Sequence, residues 1–324
     1  MIYCKKCLQP DTRPNGHFDQ NGICSACVYY EELKNVDWDE RLNILDEVLA
    51  SYRSKSSRKF DCIIGVSGGK DSTRQALWAR DKLGLRPLLV CLSYPPQQVT
   101  QRGVDNISNL INLGFDTIVV GPEPETWRKI IREGFLQFTN WAKATEQAII
   151  GSAPQAAIRY DIPLILWGEN PGLQVGDMAT IGRNGYDGNN LRFMNTVSGG
   201  NLDWLLDAGF TTQNLISFRY PSTSEFESKD IQIVYLGWFW KDWSLINNGM
   251  HSVANGLDVR VDDVSKTGDM TQVSSLDEDW VTLNQMIKYY KYGFGRVSDH
   301  VNESIRNGGM SREEGVDLVT RYDG

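Results

Sequence analysis

Short apolar runs alternate with amphipathic stretches through the middle of the chain. The runs predict five buried strands, at Phe60–Val66, Pro87–Ser93, Thr117–Val120, Leu164–Trp167 and Ile231–Leu236. Helical periodicity between them predicts helices at Ser72–Leu83, Arg102–Leu113 and Trp127–Ala148. Strands that alternate with helices in this way predict an α/β fold with a doubly wound parallel sheet.

The segments on either side of this alternation predict further parts. Residues 1–35 are rich in Cys, Gly, Asn, Asp and Pro and predict a small metal-binding module. Apolar positions from Val36 to Arg53 predict a linking helix within 36–55, and the polar stretch Ser54–Lys59 is the expected boundary of the α/β domain, 56–260. Residues 261–324 predict a C-terminal helical region, where Ser311 and Glu314 have the spacing of a capping box.

Two segments inside the α/β domain have an unusual composition. Asn170–Ser217 is rich in Gly and Asn and follows a predicted strand, at the edge where open α/β sheets bind ligands. We expect it to be a substrate lid, and a plain linker is the alternative. Trp238, Trp240 and Trp243 crowd together, and we expect them to pack in the core or at a subunit contact.

The composition bounds the class of partner. The chain has 324 residues and a net charge of -8, which argues against long nucleic acids, since their ligands usually present a basic face. Small anionic ligands need only a few cations and backbone N–H groups, so they remain possible. The sequence has no long apolar run and no apolar leader after Met1, so we expect a cytoplasmic protein without membrane insertion.

Four of the six cysteines lie in the first 27 residues. Cys4, Cys7, Cys24 and Cys27 form two Cys-x-x-Cys pairs, a spacing that fits a tetrahedral structural Zn²⁺ site. His17 lies between the pairs and could compete as a ligand, but four thiolates already complete the coordination. A site of four sulfur ligands has no open position, so we expect its role to be structural.

A glycine-containing loop follows the first strand. Ser67, Gly68, Gly69, Lys70, Asp71 and Ser72 lie between an apolar strand and a predicted helix. Glycines let the backbone turn and approach a ligand, and the exposed N–H groups at a helix start bind phosphate oxygens. Lys70 adds a cation, and Asp71 can hold Mg²⁺. The spacing fits neither a Walker A loop nor a dinucleotide fingerprint, and an ordinary Gly-Gly turn is the alternative.

The loop resembles the SGGxDS signature of the PP-loop ATP pyrophosphatases, in the adenine nucleotide alpha hydrolase-like class. The resemblance implies that ATP binds along the loop from Val66 to Ser72 and is split to AMP and pyrophosphate. It also implies that Leu92 and Ser93 lie near adenine and that Gly168 and Glu169 approach ATP from another side. Lys70, Asp71 and Glu169 are the expected catalytic residues, although Glu169 could equally be a helix cap or an ion-pair partner.

The whole chain resembles the bacterial N-acetyl sugar amidotransferases of surface-glycan and O-antigen synthesis. The shared blocks are the cysteine pairs, the glycine loop, Leu166–Asn170, Lys288–Arg296 and the segment from Arg312 to Gly324. The resemblance implies conversion of a sugar acetamido group to an acetamidino group, with ATP, Mg²⁺ and Zn²⁺ bound. Asn170, Lys288, Lys291 and Arg296 would then bind an anionic sugar; a solvated helix face is the alternative for the three basic residues.

The source of ammonia is expected to be another chain. Residue 2 is Ile, so no cysteine follows Met1, and Cys62 and Cys91 lie in predicted strands as core residues. The family resemblance implies a partner similar to the glutaminase and cyclase subunits of imidazole glycerol phosphate synthase. Two alternatives stay open, a PP-loop tRNA thiolase and a non-catalytic nucleotide-binding zinc protein.

Overall fold

A computed structural model describes residues 1–53 and 59–324. One sheet of five parallel strands has the order β3-β2-β1-β4-β5. The strands are β1 Cys62–Val66, β2 Pro87–Leu92, β3 Thr117–Val120, β4 Leu164–Trp167 and β5 Gln232–Tyr235. The predicted α/β class is confirmed. The boundary expected at Ser54–Lys59, and with it the division between 36–55 and 56–260, falls mainly on residues 54–58, which lie outside the described residues.

The strand order reverses between β1 and β4. From β1 the chain adds β2 and β3 on one side, and it then returns to add β4 and β5 on the other. Ile63 lies opposite Leu88 of β2 and Ile165 of β4, which puts the ends of all three strands at one edge. Ligands of open α/β sheets bind at such a reversal, outside the carboxyl ends of the strands.

Helices surround the sheet and continue through the C-terminal part of the chain. They are α1 Ser25–Glu32, α2 Trp38–Arg53, α3 Lys70–Asp81, α4 Gln101–Asn112, α5 Pro124–Phe138, α6 Ala142–Tyr160, α7 Pro171–Gln174, α8 Asp203–Leu206, α9 Thr223–Ser228, α10 Leu245–Ala254, α11 Val264–Thr267, α12 Trp280–Tyr292, α13 Arg296–Arg306 and α14 Arg312–Tyr322. The capping box of Ser311 and Glu314 is present at the start of α14. No helix within the described ranges is both long and apolar enough to cross a membrane.

The helices cover both faces of the sheet, as a doubly wound fold requires. Leu49 of α2, Leu77 of α3 and Leu110 of α4 pack in one buried cluster with the sheet. Ile150 and Ala153 of α6 pack in a second cluster on Ile63, whose side chain lies on the opposite face from that of Ile64. Full burial of an aliphatic side chain contributes about 1.5–3 kcal/mol, so these two layers supply much of the stability.

The prediction of one helix over Trp127–Ala148 is wrong. The chain forms α5 and α6, separated at Thr139, which has a left-handed φ of 50° and donates its N–H to Phe135 O at 2.8 Å. Neither glycine nor proline marks this break, so periodicity alone does not reveal it. A smaller difference concerns α3, which begins at Lys70 instead of Ser72.

The segment Asn170–Ser217 is largely built into the core. Leu191 and Val197 pack with Ile233 of β5, and Leu205 and Leu215 are also buried. This packing does not support a lid that moves as a whole.

The tryptophan-rich segment packs within the chain. Trp240 stacks on Trp78 with ring centroids 4.2 Å apart and contacts Trp243 at 5.4 Å. The guanidinium of Arg74 lies 4.4 Å from the centre of the Trp240 ring, which adds a cation–π contact. Packing inside the molecule therefore accounts for this cluster.

Candidate active site and metal centre

A cavity of about 310 Å³ opens where the strand order reverses. We call it the switch-point pocket. Val66, Leu92 and Trp167 line it from the ends of β1, β2 and β4, and Ser275, Leu276 and Asp277 line it from a loop of the C-terminal region. The volume lies at the lower end of the roughly 300–1,000 Å³ usual for ligand pockets.

The glycine loop forms one wall of this pocket and leads directly into α3. Gly68 has a left-handed φ of +79°, and a Cβ there would lie only 3.0 Å from Asn106 Cβ, so both the turn and the close packing require glycine. The Ser67 hydroxyl accepts the Gly69 N–H at 3.4 Å, and the Ser72 hydroxyl donates to Gly69 O at 3.2 Å. The loop thus places the amino end of a 12-residue helix beside the pocket, a site that favours anions.

Lys70 and Asp71 are held in place by α10. Lys70 Nζ lies 2.6 Å from Asp71 Oδ2, and Asp71 Oδ1 accepts the Asn248 amide at 2.6 Å. Asn248 in turn accepts a hydrogen bond from Arg74 at 2.7 Å, while Ser252 donates to Lys70 O at 2.6 Å. No motif marks Asn248 or Ser252, and the sequence interpretation missed both.

Glu169 faces the same charged pair from the end of β4. The Glu169 side chain borders the cavity and is exposed on that side, while the protein encloses its other sides. Desolvation, and then the negative charge of Asp71, raise the pKa of Glu169 to about 7. Burial opposes the charge on Lys70, but the carboxylates of Asp71 and Glu169 raise its pKa, so the ammonium persists at neutral pH.

Most of the predicted nucleotide-binding residues share this pocket. It is lined by Val66, Ser67, Gly69, Lys70, Asp71, Ser72, Leu92, Gly168 and Glu169. Gly68 shapes the turn without lining the cavity, and Ser93 lines a neighbouring cavity instead. Asn170 is buried and accepts hydrogen bonds from Gly172 N and Leu173 N, so it caps α7.

The predicted sugar-binding cations lie elsewhere. Lys288 and Lys291 line a separate cavity, and neither is free: Lys288 Nζ pairs with Asp299 at 2.7 Å and Lys291 Nζ donates to Phe138 O at 2.6 Å. Arg296 is buried and donates to the Ser275 hydroxyl at 3.1 Å, beneath the loop that lines the switch-point pocket. The solvated-face interpretation is therefore wrong for Arg296.

Asp277 is a pocket residue that the sequence interpretation missed. It lies on the loop that packs against α4, where a Cβ at Gly103 would come 2.6 Å from Asp277 Cα. Burial raises the pKa of Asp277 to about 6, and Arg260 and Arg102 oppose that shift. The C-terminal region thus contributes a carboxyl group to the pocket.

The four N-terminal cysteines form one compact cluster. Their Sγ atoms all lie within 4.8 Å of one another, with Cys4 and Cys27 3.9 Å apart and Cys7 and Cys24 3.7 Å apart. Four sulfurs about 2.3 Å from one tetrahedral ion are separated by roughly 3.8 Å, so the cluster fits a single metal ion. The N–H groups of Lys6 and Gln9 donate to Cys4 Sγ and Cys7 Sγ, both at 3.4 Å. His17 is exposed and outside the cluster.

Arg306 links this cluster to the rest of the molecule. Its Nη2 atom lies 3.6 Å from Cys7 Sγ and 3.8 Å from Cys24 Sγ, and it donates to Gln9 Oε1 at 2.6 Å. Its Nη1 atom donates to Gln174 O at 3.1 Å, at the end of α7. A divalent ion bound by four thiolates carries a net charge of about −2, which this guanidinium partly offsets.

The two remaining cysteines are core residues, as predicted. Cys62 is 0% exposed and Cys91 is 5% exposed. Burial raises the pKa of both thiols, that of Cys91 to about 12. Neither lines the switch-point pocket, so neither is placed or ionised as a nucleophile for it.

A parallel sheet with a glycine loop at its strand reversal is the architecture of α/β nucleotide-binding proteins. Comparison with families adds one match: residues 267–324 match the model described as "LPS biosynthesis protein WbpG-like, C-terminal domain". This segment contains Asp277 of the switch-point pocket and Arg306 of the cysteine cluster. The match agrees with the resemblance to surface-glycan enzymes for the C-terminal part of the chain.

No curated protein matched the sequence. Among solved structures, the U34-tRNA thiolase NcsA from Methanococcus maripaludis with its 4Fe–4S cluster is similar at 14% identity, over 95% of this chain and 87% of that chain, with a TM-score of 0.35. At that score the likeness carries no argument about this chain.

Proposed function

We propose that the chain is an ATP-dependent amidotransferase that converts the acetamido group of a sugar into an acetamidino group, releasing AMP and pyrophosphate. The observation that carries the proposal is the glycine loop at the strand reversal, with Lys70, Asp71 and Glu169 around one pocket. The C-terminal match to a lipopolysaccharide-biosynthesis domain supports a sugar as acceptor.

The loop and α3 would hold the pyrophosphate part of ATP. Backbone N–H groups at Lys70 and Asp71 stand at the amino end of the helix, and the Lys70 ammonium adds a fixed positive charge. Asp71 offers the carboxylate oxygens that Mg²⁺ prefers, and Mg²⁺ would neutralise the leaving pyrophosphate there. Pyrophosphate departure is thus favoured at this end of the pocket.

The proposed reaction proceeds in two chemical displacement steps. The acetamido oxygen attacks the α-phosphorus, the bond to the β-phosphate bridging oxygen breaks, and pyrophosphate leaves. Ammonia then attacks the activated carbon, the carbon–oxygen bond breaks and AMP leaves with the former carbonyl oxygen. Glu169, with a pKa near 7, can accept the proton that ammonia loses as the amidinium forms.

The cysteine cluster would bind Zn²⁺ in a structural role. Its four thiolates leave no open position for substrate. Arg306 and Gln174 connect it to the loop behind Glu169, so the metal would stabilise the site from a distance.

Ammonia would come from separate glutaminase and cyclase-like subunits. The buried thiols of Cys62 and Cys91 have raised pKa values, which supports this division of labour and speaks against thiolase chemistry. Retained ATP-dependent activity in the Cys62→Ala/Cys91→Ala double variant would exclude a thiolase that uses them.

The proposal is tested by following α-labelled ATP with UDP-activated N-acetylated sugars and ammonium. We expect AMP and pyrophosphate in equal amounts, only when both co-substrates are present, and a sugar product with one nitrogen in place of one oxygen by mass spectrometry. Formation of ADP, or AMP without any change in the sugar, contradicts the proposal.

A further inference from the structure

A second cavity of about 240 Å³ lies beside α12. We call it the α12 pocket. Its walls come from α12, the amino-terminal part of α6 and the loop that follows β4. None of the residues that line it takes part in the proposed reaction.

Three buried amide oxygens in its wall lack partners. Asn140 Oδ1, Asn284 Oδ1 and Gln285 Oε1 are inaccessible to solvent and accept no hydrogen bond from residues 1–53 or 59–324. All three residues line the pocket. An unsatisfied buried acceptor costs about 1–3 kcal/mol, so three in one wall point to a ligand that donates hydrogen bonds.

Each cation of the α12 pocket already has a partner in the protein. The cations Arg13, Lys288 and Lys291 line it, but Arg13 and Lys288 both pair with the half-buried Asp299, and Lys291 donates to Phe138 O. The remaining acids of the wall are Glu146 and Asp177, and burial raises the pKa of both. A wall with partnered cations and free acceptors suits hydroxyl and amide N–H groups better than a phosphate.

The α12 pocket lies next to the switch-point pocket. Glu146 lines the first, whereas Ile149, three residues further along the same face of α6, lines the second. Three residues along a helix correspond to roughly 4.5 Å. The loop after β4 also borders both pockets, since Glu169 lines the switch-point pocket and Pro171 lines the α12 pocket.

We infer that the α12 pocket binds the N-acetylhexosamine ring of the acceptor, with its acetamido group directed towards the switch-point pocket. The volume is below the roughly 300–1,000 Å³ of pockets for drug-sized ligands, so it fits one sugar ring and not a whole sugar nucleotide. This inference rests on the proposed function and adds where the acceptor is held. The side-chain amides of Asn140, Asn284 and Gln285, whose oxygens are shielded from solvent, rotate to accept hydrogen bonds from the ring hydroxyl groups.

The inference is tested by saturation-transfer NMR with N-acetylglucosamine as the probe and without ATP. We expect probe signals with the wild type. We also expect them with Tyr290→Ala, a control at a residue of the same helix that is 78% exposed. The Asn284→Leu/Gln285→Leu variant keeps similar volumes without amide oxygens, and its signal should be at least tenfold weaker. Asn284→Asp keeps acceptor oxygens and should retain the signal, which separates ligand contact from misfolding.

Equal signals from the double Leu variant, or no signal from the wild type, overturn the inference. AMP release with an N-acetylated sugar nucleotide and ammonium, measured on the same proteins, separates it from the proposed function. If AMP forms equally in the double Leu variant, the pocket assignment fails and the reaction stands. If probe binding depends on these amides but no AMP forms in the wild type, the reaction fails and the sugar pocket stands.

Discussion

Among single residues, Glu169 responds most directly to pH. Its pKa rises from an ordinary 4.5 to about 7, so the side chain is neutral below pH 7 and negative above it. Because the free enzyme needs the carboxylate, kcat/KM for ATP should rise with pH up to about 7 and then level off. In Glu169→Gln we expect no such rise and a rate about 100-fold lower at pH 8.

Glu278→Gln is the matched control for that profile. Glu278 also has a pKa raised to about 7, mainly by burial, but it does not line the switch-point pocket. This variant should keep the rise with pH. An unchanged profile in Glu169→Gln would contradict the role of Glu169.

Asp71 should be essential for turnover and nearly dispensable for folding. Asp71→Asn keeps the shape of the side chain but removes the charge beside Lys70, so we expect AMP formation to fall by about 100-fold, or about 2.7 kcal/mol. The melting temperature should fall by only a few degrees, because the amide oxygen of Asn can still accept the Asn248 hydrogen bond although the pairing with Lys70 is lost. Asp81→Asn, at the exposed far end of α3, should leave both quantities unchanged.

The sequence predicts residues whose chemistry is local and misses those supplied from afar. Gly68, Lys70 and Asp71 form one continuous motif after a strand, and the structure places them together. Asn248 contacts Asp71 across 177 positions of sequence, and nothing in its own neighbourhood indicates this. Long-range contacts of single polar side chains leave no periodic signal, so only the fold reveals them.

At the scale of elements, the glycine loop can be tested against a second left-handed glycine. Gly68→Ala combines the strain of a positive φ, about 1–2 kcal/mol, with a contact of 3.0 Å to Asn106 Cβ. Gly84 has φ +62°, and a Cβ there meets nothing within 4 Å among the described residues. Both variants should lose some stability, but only Gly68→Ala should lose ATP binding by calorimetry; equal ATP affinity in the two would contradict the loop assignment.

The cysteine module should depend on its metal. In Cys24→Ser we expect loss of stoichiometric zinc by elemental analysis and a melting temperature lower by about 5 °C or more, since each kcal/mol corresponds to roughly 2–4 °C. Cys91→Ser alters a buried thiol outside the cluster and should retain zinc. Loss of zinc with unchanged melting would show that the metal does not stabilise the fold.

Elements are predictable where their own residues decide them. The strands are short apolar runs flanked by polar residues, and their positions agree with the structure. The break between α5 and α6 depends on a left-handed Thr139, a residue without the signal of glycine or proline. The boundary between the two helices is therefore set by packing on both sides of Thr139, and the hydrophobic periodicity of the sequence does not reveal that packing.

For the whole molecule, Arg306 joins the amino-terminal module, the loop behind Glu169 and the C-terminal helices. Its replacement removes the charge that faces Cys7 and Cys24. In Arg306→Met we expect zinc to be lost to a chelator about 10–100-fold more readily, as is typical when a neighbour of a metal ligand is removed. Arg321→Met, on exposed α14, is the control and should behave as the wild type. Equal chelator resistance in both variants would remove Arg306 from the metal site.

The central claim is that ATP activates the acetamido oxygen by transfer of its adenylyl group. The most direct measurement uses an acceptor with ¹⁸O in the acetyl carbonyl, with ammonium and ATP, and mass analysis of the released AMP. We predict that AMP carries the ¹⁸O label and that the sugar loses it. Unlabelled AMP, or label recovered in inorganic phosphate beside ADP, would contradict it.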